Sequence, residues 1–419
     1  MSVFNTTTSQ KYNILQNIIK PYKKEFTFIG PFAKLMGSNN QSAVWGKSME
    51  NGGSGRGVGE RVIYNKQRVY APTVSTGANY NDVLITNNVE SIFMATDDIK
   101  LQKFRFDSKI LNREWDTQLT GHDFWNEVKY DLLQKGRLLQ ENRYKNSLVN
   151  AFSGNGNGND GSNTTTLMTP ANITAAMAAG SFNAADNTQL SGDRFMFGQA
   201  GAGVGNTVAD RATAIALNAD AANHQLKAET LYNLSVLAAQ GEHTVTAVRQ
   251  ERIEPHTYTN FKGFERRKYV LFTSNAAFGT LRQDPNWIGQ QTRGVIEDPC
   301  QPSLLFGSDY RGTLYGIDVV TDPMFDSMIM HAADGGNAQV MYSVLVGAGA
   351  LGYAMGKEPT LKVEESFDYG NIKGVAHVET SGIKVLKFPA RTDTAANKGQ
   401  NVHPFLENGL IHVGTTLPI

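Results

Sequence analysis

From Thr120 to Phe152 the chain reads TGHDFWNEVKYDLLQKGRLLQENRYKNSLVNAF, free of proline and with apolar residues at helical spacing. Thr120 and Asp123 offer side-chain oxygens to the free N–H groups of a helix start. Asp131/Lys135 and Glu141/Lys145 are i,i+4 pairs, and Ser153 opens the helix-breaking run SGNGNGNDGSN. The pattern predicts one rod about 45–50 Å long. On a helical projection Phe124, Trp125, Val128, Leu132 and Leu139 share a quadrant, whereas Tyr144, Leu148 and Phe152 lie almost opposite. Such a helix is expected to change neighbours halfway along; the alternative is an ordinary core helix of imperfect periodicity.

The flanking regions follow other rhythms. In residues 1–50, Ile14, Leu15, Ile18 and Ile19 make a short amphipathic turn ended by Pro21. Phe26, Phe28, Phe32, Leu35 and Met36 follow, split by Gly30-Pro31, and read as an extended arm without a core of its own. NGGSGRGVG (51–59) is a hinge. From Glu60 to Ile110 the pattern is β: Val62, Ile63, Tyr64, Val69 and Tyr70, then Ile99, Leu101, Phe104 and Phe106 alternating with polar residues. This predicts a long two-stranded excursion, which two strands alone do not stabilise, so it must pack on a neighbour. Beyond the rod lies a Gly/Asn/Ala-rich insert (153–206) holding a short helix, Thr169–Ala179. A second long helix is predicted over Thr207–Gln240. Tyr269–Phe272 is a buried strand, SNAAFGTLRQ a helix stopped by Asp284-Pro285, and Gly312–Thr321 a single strand. Residues 360–419 carry further strands around Leu361, Val375, Ile383–Phe388 and Leu410–Val413. Strands, helix and strands without a repeat indicate α+β rather than a parallel wind.

Composition narrows the function. The 419 residues contain 39 Lys plus Arg and 39 Asp plus Glu, a formal net charge of zero, which disfavours a dedicated nucleic-acid binder. Cys300 is the single cysteine, so intrachain disulfides and cysteine-based zinc sites are excluded. The start MSVFNTTTSQ lacks the basic cluster and apolar run of a secretory leader, which predicts synthesis in the cytosol. Val340–Met355 is too short and glycine-rich for a membrane span.

Catalytic motifs are weak. VLVGAGALG (344–352) has Gly347, Gly349 and Gly352 at dinucleotide-fingerprint spacing, but that reading needs a helix after the glycines, and Gly356 and Pro359 interrupt one. GQAGAGVG (198–205) lacks the Lys-Ser/Thr ending of a phosphate loop. The histidines show no metal-binding spacing, and Asp97-Asp98 and Glu364-Glu365 read as solvated carboxylates. Arg266-Arg267-Lys268 reads as a surface cluster.

GFERRKYVLFTSNAAFGTLRQDPNWIGQQ, LFGSDYRGTLYGIDVVTD, SVLVGAGALGYAMGK and FDYGNIKGVAHVETSGIKVLKF occur in that order from Gly263. The series resembles the carboxy-terminal half of major capsid proteins of tailed bacteriophages, and is most similar to the subgroup typified by coliphage N-four; the amino-terminal half matches by layout only. The resemblance implies the Hong Kong 97-like capsid fold. Its parts would be an N-terminal arm (1–55), an E-loop (56–115), a P-domain spine helix (116–154), an A-domain with the insert (155–350) and a return to the P-domain (351–419). It implies a structural virion protein, not an enzyme, with no cofactor or metal. This protein would assemble with itself into pentamers and hexamers of an icosahedral shell around double-stranded DNA, contacted non-specifically. Scaffolding, portal and decoration proteins are further candidate partners; no membrane is implied, and assembly is expected in the host cytoplasm. Arg61, Lys66 and Arg68 are candidates for salt bridges to an adjacent subunit. Tyr144, Leu148 and Phe152 are expected at the A-domain junction or on a neighbour, and Phe124, Trp125, Val128 and Leu132 on the P-domain sheet. The alternatives are an NAD-dependent oxidoreductase built on Gly347–Gly352, or another self-assembling phage protein such as a tail or sheath subunit.

Overall fold

The stretch with the strongest helical pattern is one unbroken helix, α1 (Phe124–Phe152). It belongs to a computed structural model that describes residues 32–48, 61–68, 93–111, 124–152, 195–197, 225–240, 248–249, 252–259, 265–293, 307–333, 338–367, 372–389, 391–392 and 405–418. The short helix expected at Thr169–Ala179 and the turn at Ile14–Ile19 lie outside these residues.

Helix α1 rests on a five-stranded sheet ordered β1 (Met36–Gly37), β2 (Val44–Ser48), β14 (Leu351–Phe367), β15 (Ile372–Val385) and β5 (Gln102–Leu111). It packs against β15 and β5. A buried ionic group makes that contact. Arg143 Nη1 donates to Glu379 Oε1 and to Ser381 Oγ, each at 2.9 Å. Its guanidinium lies 4.2 Å from the Phe104 ring centroid. His377 Nε2 is 3.5 Å from Glu379 Oε2, and the His377 ring stacks on Phe106 at 4.3 Å. Burial pushes the Glu379 carboxyl up, but His377, the Arg143 charge and the Ser381 hydroxyl outweigh it, and the carboxyl sits below its usual range.

The two halves of α1 do part company. Val128 and Leu132 are buried in the first half, where Lys135 reaches the Asp107 carbonyl of β5. Tyr144 and Leu148 join a different cluster, with Phe32, Leu35, Phe272, Phe325, Tyr342, Val344, Leu351 and Val385. Phe32 lies at its centre, with ring centroids 4.9 Å from Tyr144 and 4.8 Å from Phe272. The arm is therefore not a detached strap over its described length. Phe32, Leu35, Ala43 and Val44 are core residues of their own chain, and β2 pairs in parallel with β14.

Beyond this joint stands an eight-stranded sheet. Its order is β10 (Tyr310–Leu314), β11 (Ile317–Thr321), β9 (Glu265–Thr273), β13 (Ala338–Val346), β19 (Leu410–Pro418) and β6 (Phe195–Phe197). β8 (His256–Thr259) pairs with β9, and β12 (Ile329–Ala333) with β13. Period-two alternation splits it cleanly. Val270, Phe272, Val320, Val344 and Val346 face the joint, while Leu271, Val319, Leu345, Ile411 and Val413 face the helices α2 (Ala228–Gln240), α3 (Asn275–Arg282) and α4 (Pro285–Arg293). Short ladders join β16 (Lys387–Pro389) to β18 (Phe405–Glu407) and β17 (Arg391–Thr392) to β7 (Val248–Arg249).

Several sequence expectations change. Gly312–Thr321 is a hairpin, β10–β11, because Tyr315 (φ 50°) and Gly316 (φ 79°) both take left-handed conformations that reverse the chain. The helix expected from Thr207 begins, among described residues, only at Ala228, whose N–H donates to Asp284 Oδ2 at 2.7 Å. Residues 225–227 ahead of it are not helical. The helix after Ser274 stops at Arg282, just ahead of Asp284-Pro285, and Pro285 also opens α4 from the first helical position, where a missing N–H costs no bond. β9 and β11 run parallel, so one crossover unit sits inside the α+β fold. The tail does not return whole to the sheet under α1, since β14 and β15 lie there but β19 joins the eight-stranded sheet.

Phe32→Ala should lower unfolding free energy by about 3–5 kcal/mol, measured by denaturant titration; a surface-like value would detach residues 32–48 from the core. Arg143→Met alone strands a buried carboxylate and should cost about 3–5 kcal/mol, whereas Arg143→Met/Glu379→Leu should cost clearly less. Because the Glu379 pKa is depressed by folding, its stabilisation is present above the unfolded carboxylate value, near ~4.3, and lost as pH falls through the lower folded value. Glu379→Gln should flatten the acid limb of the stability profile; an unchanged limb would refute this.

Candidate subunit-assembly site

The excursion between arm and α1 is a hairpin, β3 (Arg61–Arg68) with β4 (Phe93–Lys100). The second strand is not the one expected: the Phe104/Phe106 stretch belongs to β5 and pairs with β15, because that register places both rings beside Arg143 and His377.

The hairpin base lies on the five-stranded sheet, on the face away from α1. Val62, Tyr64 and Ile99 are fully buried there with Ala354, Leu386 and Phe388. Glycines allow the approach: a Cβ on Gly352 would stand 2.5 Å from Ile99 Cδ1, and one on Gly382 2.5 Å from the Lys100 carbonyl. Trp45 meets Tyr64 edge-on at 5.2 Å, and Lys47 Nζ lies 4.8 Å from each ring while donating to the Ile63 carbonyl. Burial lowers the Lys47 pKa.

Asp97, expected among solvated carboxylates, is the buried pin of this base. Its Oδ1 accepts from Lys384 Nζ at 2.6 Å and from the Asp98 N–H, and its Oδ2 from the Lys387 N–H at 2.9 Å. Burial pushes the Asp97 carboxyl up and prevails over Lys384 and the two N–H groups, which pull it down. The burial of charged pairs far apart in sequence, Asp97–Lys384 and Arg143–Glu379, left no mark in local periodicity.

The six candidate interface residues divide. Tyr144 and Leu148 are 1% and 0% exposed in their own chain's core, so they offer nothing to a neighbour; they fill the joint between the sheets instead. Arg61 Nη1 pairs with Asp98 Oδ2 at 2.6 Å across the hairpin, with its side chain 55% exposed. Lys66 Nζ donates to Asn408 Oδ1 at 2.6 Å, a tie from the hairpin to the chain's own β18–β19 turn. Both basic groups thus have in-chain partners. The side chains of Arg68 and Phe152, like those of Phe124 and Trp125, lie outside the described set.

A second exposed feature escaped sequence reading. Tyr315, at the β10–β11 turn, is 45% exposed and meets Tyr232 of α2 edge-on at 5.4 Å. It is the one non-glycine residue with positive φ among those described, and an aromatic side chain there is strained.

The glycine loop after β13 is followed by strand β14, not a helix. Its N–H groups are taken by the chain itself: Gly347 donates to Gly409, Ala348 to Glu254, Gly349 to Ser42 and Ala350 to Ala43. A phosphate would find no free donor, and a Cβ on Gly347 would stand 2.6 Å from the Glu254 carbonyl. His256 accepts from the Ala43 N–H, and burial lowers its pKa to about 4. His412 Nδ1 bonds the Tyr342 hydroxyl. No cluster of His, Cys, Asp or Glu among the described residues is arranged to hold a metal, and no described helix is long and apolar enough to cross a membrane.

No protein-family model matches the sequence, and no curated protein matches it. Solved structures do. The chain superposes on the capsid asymmetric unit of cyanophage Pam1 with TM-score 0.57 and 18% identity, over 93% of this chain and 92% of that one. For the capsid of Ralstonia phage GP4 the TM-score is 0.59 at 14% identity, over 92% and 90%. For the acid-stable capsid of Helicobacter pylori bacteriophage KHP30 it is 0.57 at 11%, over 93% and 90%. The fold is that of these phage capsid subunits, the Hong Kong 97-like α+β fold.

Proposed function

We propose that the chain is the major capsid protein of a tailed bacteriophage, a structural and non-enzymatic protein. It assembles with copies of itself into the pentamers and hexamers of an icosahedral shell around double-stranded DNA. The observation that carries this reading is the likeness to three phage capsid subunits over nine-tenths or more of both chains. The dinucleotide alternative finds no support, since its glycine loop is closed by backbone bonds. Assembly takes place in the host cytoplasm, and the product is the virion shell, with scaffolding, portal and decoration proteins as further partners.

In this reading residues 1–55 are the arm, 56–115 the E-loop region, 116–154 the spine helix, 155–350 the A-domain with its insert, and 351–419 the returning chain. The described parts of the arm and E-loop region each contribute to the chain's own core, so contacts to neighbours are assigned to their remaining residues. A shell subunit needs heterologous contacts that close. The strained, exposed Tyr315 beside Tyr232 is a candidate, because strain at an exposed aromatic is retained where something outside the subunit uses it. Arg61, paired with Asp98 in its own chain but 55% exposed, would have to share or exchange that partner to bridge to an adjacent subunit.

Electron microscopy of the purified protein should show closed polyhedral shells; tubes, or monomers under every assembly condition, would overturn the reading. Arg68 and Phe93 are directly paired, so residues 69–92 can be replaced by a two-residue Asn-Gly turn without disturbing β3–β4. That variant should keep its melting temperature but fail to close shells, and normal shells would remove the segment from assembly. Tyr315→Asn should relieve roughly 1 kcal/mol of left-handed strain and stabilise the subunit while lowering shell yield. Unchanged yield would exclude Tyr315 from the interface.

A further inference from the structure

Two buried polar groups of α1 are only partly satisfied by the protein. Arg143 is 2% exposed, and its Nη1 donates to Glu379 and Ser381. Its Nε and Nη2 have no hydrogen-bond partner among the described residues. These two nitrogens form one edge of the planar guanidinium, with parallel N–H bonds, the fork by which arginine grips an acceptor. Ser147 is also 2% exposed, and its Oγ is likewise unpartnered. A serine inside a helix can turn its hydroxyl back onto the carbonyl four residues earlier, here that of Arg143 itself. The Ser147 hydroxyl makes no such bond.

Helical spacing brings the fork and the hydroxyl together, since residues four apart lie on one face, a turn apart. Gln140 extends the same polar stripe and donates to Glu379 Oε1 at 3.4 Å. Gln140, Arg143, Ser147, Glu379 and Ser381 are each 4% exposed or less. Tyr144 and Leu148, from the same turns of α1, belong to the apolar cluster between the sheets. The polar group therefore lies at the border of that cluster, away from bulk solvent. A charged donor left unsatisfied there costs more than the bond it forgoes, and such groups are rare in folded proteins.

The chemistry of the site selects an occupant. The fork offers donors only, so the occupant must carry an acceptor, and a metal cation does not fit. The charges of Arg143 and Glu379 already cancel, so an anion such as chloride would add an unmatched negative charge beside a buried carboxylate. Water is neutral. Its lone pairs accept from both N–H groups and one O–H remains for Ser147 Oγ, three bonds in all, the usual number for an internal water.

We infer that one ordered water is bound inside the subunit between Arg143 Nε, Arg143 Nη2 and Ser147 Oγ, as a resident part of the contact between α1 and β15. The test is a density map of the full-length chain at a resolution that shows waters, together with thermal melting of Ser147→Ala. The map should hold one peak about 2.8–3.0 Å from all three atoms, with no anomalous signal there in crystals grown in bromide. The absence of a peak, a protein atom bonded to the fork, or an anomalous bromide peak each overturns the proposal. In Ser147→Ala the water loses one of its three partners, so the melting temperature should fall although alanine is the better helix former. Were the hydroxyl without a partner, its removal would relieve a buried unsatisfied group; an unchanged or higher melting temperature therefore overturns the proposal. The site lies within one subunit, so these outcomes do not depend on shell formation, and failure here leaves the capsid reading standing.

Discussion

The structure depends on a single joint in which the arm, the long helix and both large sheets bury their apolar surface together. Phe32 and Leu35 come from the arm, Tyr144 and Leu148 from the far half of α1, Phe272 and Tyr342 from the eight-stranded sheet, and Leu351 and Val385 from the five-stranded sheet. Aromatic rings dominate it: Phe325 stacks with both Phe272 and Tyr342, and Phe32 wedges among them. Burial at this density is worth more than any exposed contact in the molecule. It also dictates geometry, since neither sheet is free to turn against the other without opening the cluster.

Around that joint, buried charge gives direction. Arg143–Glu379 locks α1 to β15, and Asp97–Lys384 locks the hairpin base to the other face of the same sheet. Apolar packing alone tolerates sliding, whereas a buried ion pair with its hydrogen bonds permits one register and penalises the rest. The consequence is a sheet held from both faces, with the glycines at 352 and 382 letting the hairpin sit close. Among the described residues, Lys103, Arg105, Lys357 and Lys362 are exposed on strands of that sheet, and Tyr315 and Tyr232 are exposed at the edge of the other.

Residue patterns by themselves determined much of this. The rod from Phe124 to Phe152, its change of neighbours, the strand at Tyr269–Phe272, the helix after Ser274, the β-rich tail and the α+β class all follow from local periodicity, caps and breakers acting over a few residues. The motif series from Gly263 pointed to the capsid fold that the superpositions bear out.

Tertiary structure alone decided the rest, because the deciding interactions join residues hundreds of positions apart. Nothing near Asp97 reveals that Lys384 will bury it, and nothing near Phe32 reveals that Tyr144 and Phe272 will enclose it. Strand partners were equally hidden: β5 alternates like a free hairpin strand, yet ten residues of ladder with β15 claim it. Tyr144 and Leu148 have the apolar character of interface residues and the location of core residues, since hydrophobicity specifies burial but not by whom. Even the grouping of basic residues is invisible in a chain of zero net charge, for only the register of β14, β15 and β5 brings Lys103, Arg105, Lys357 and Lys362 onto one side.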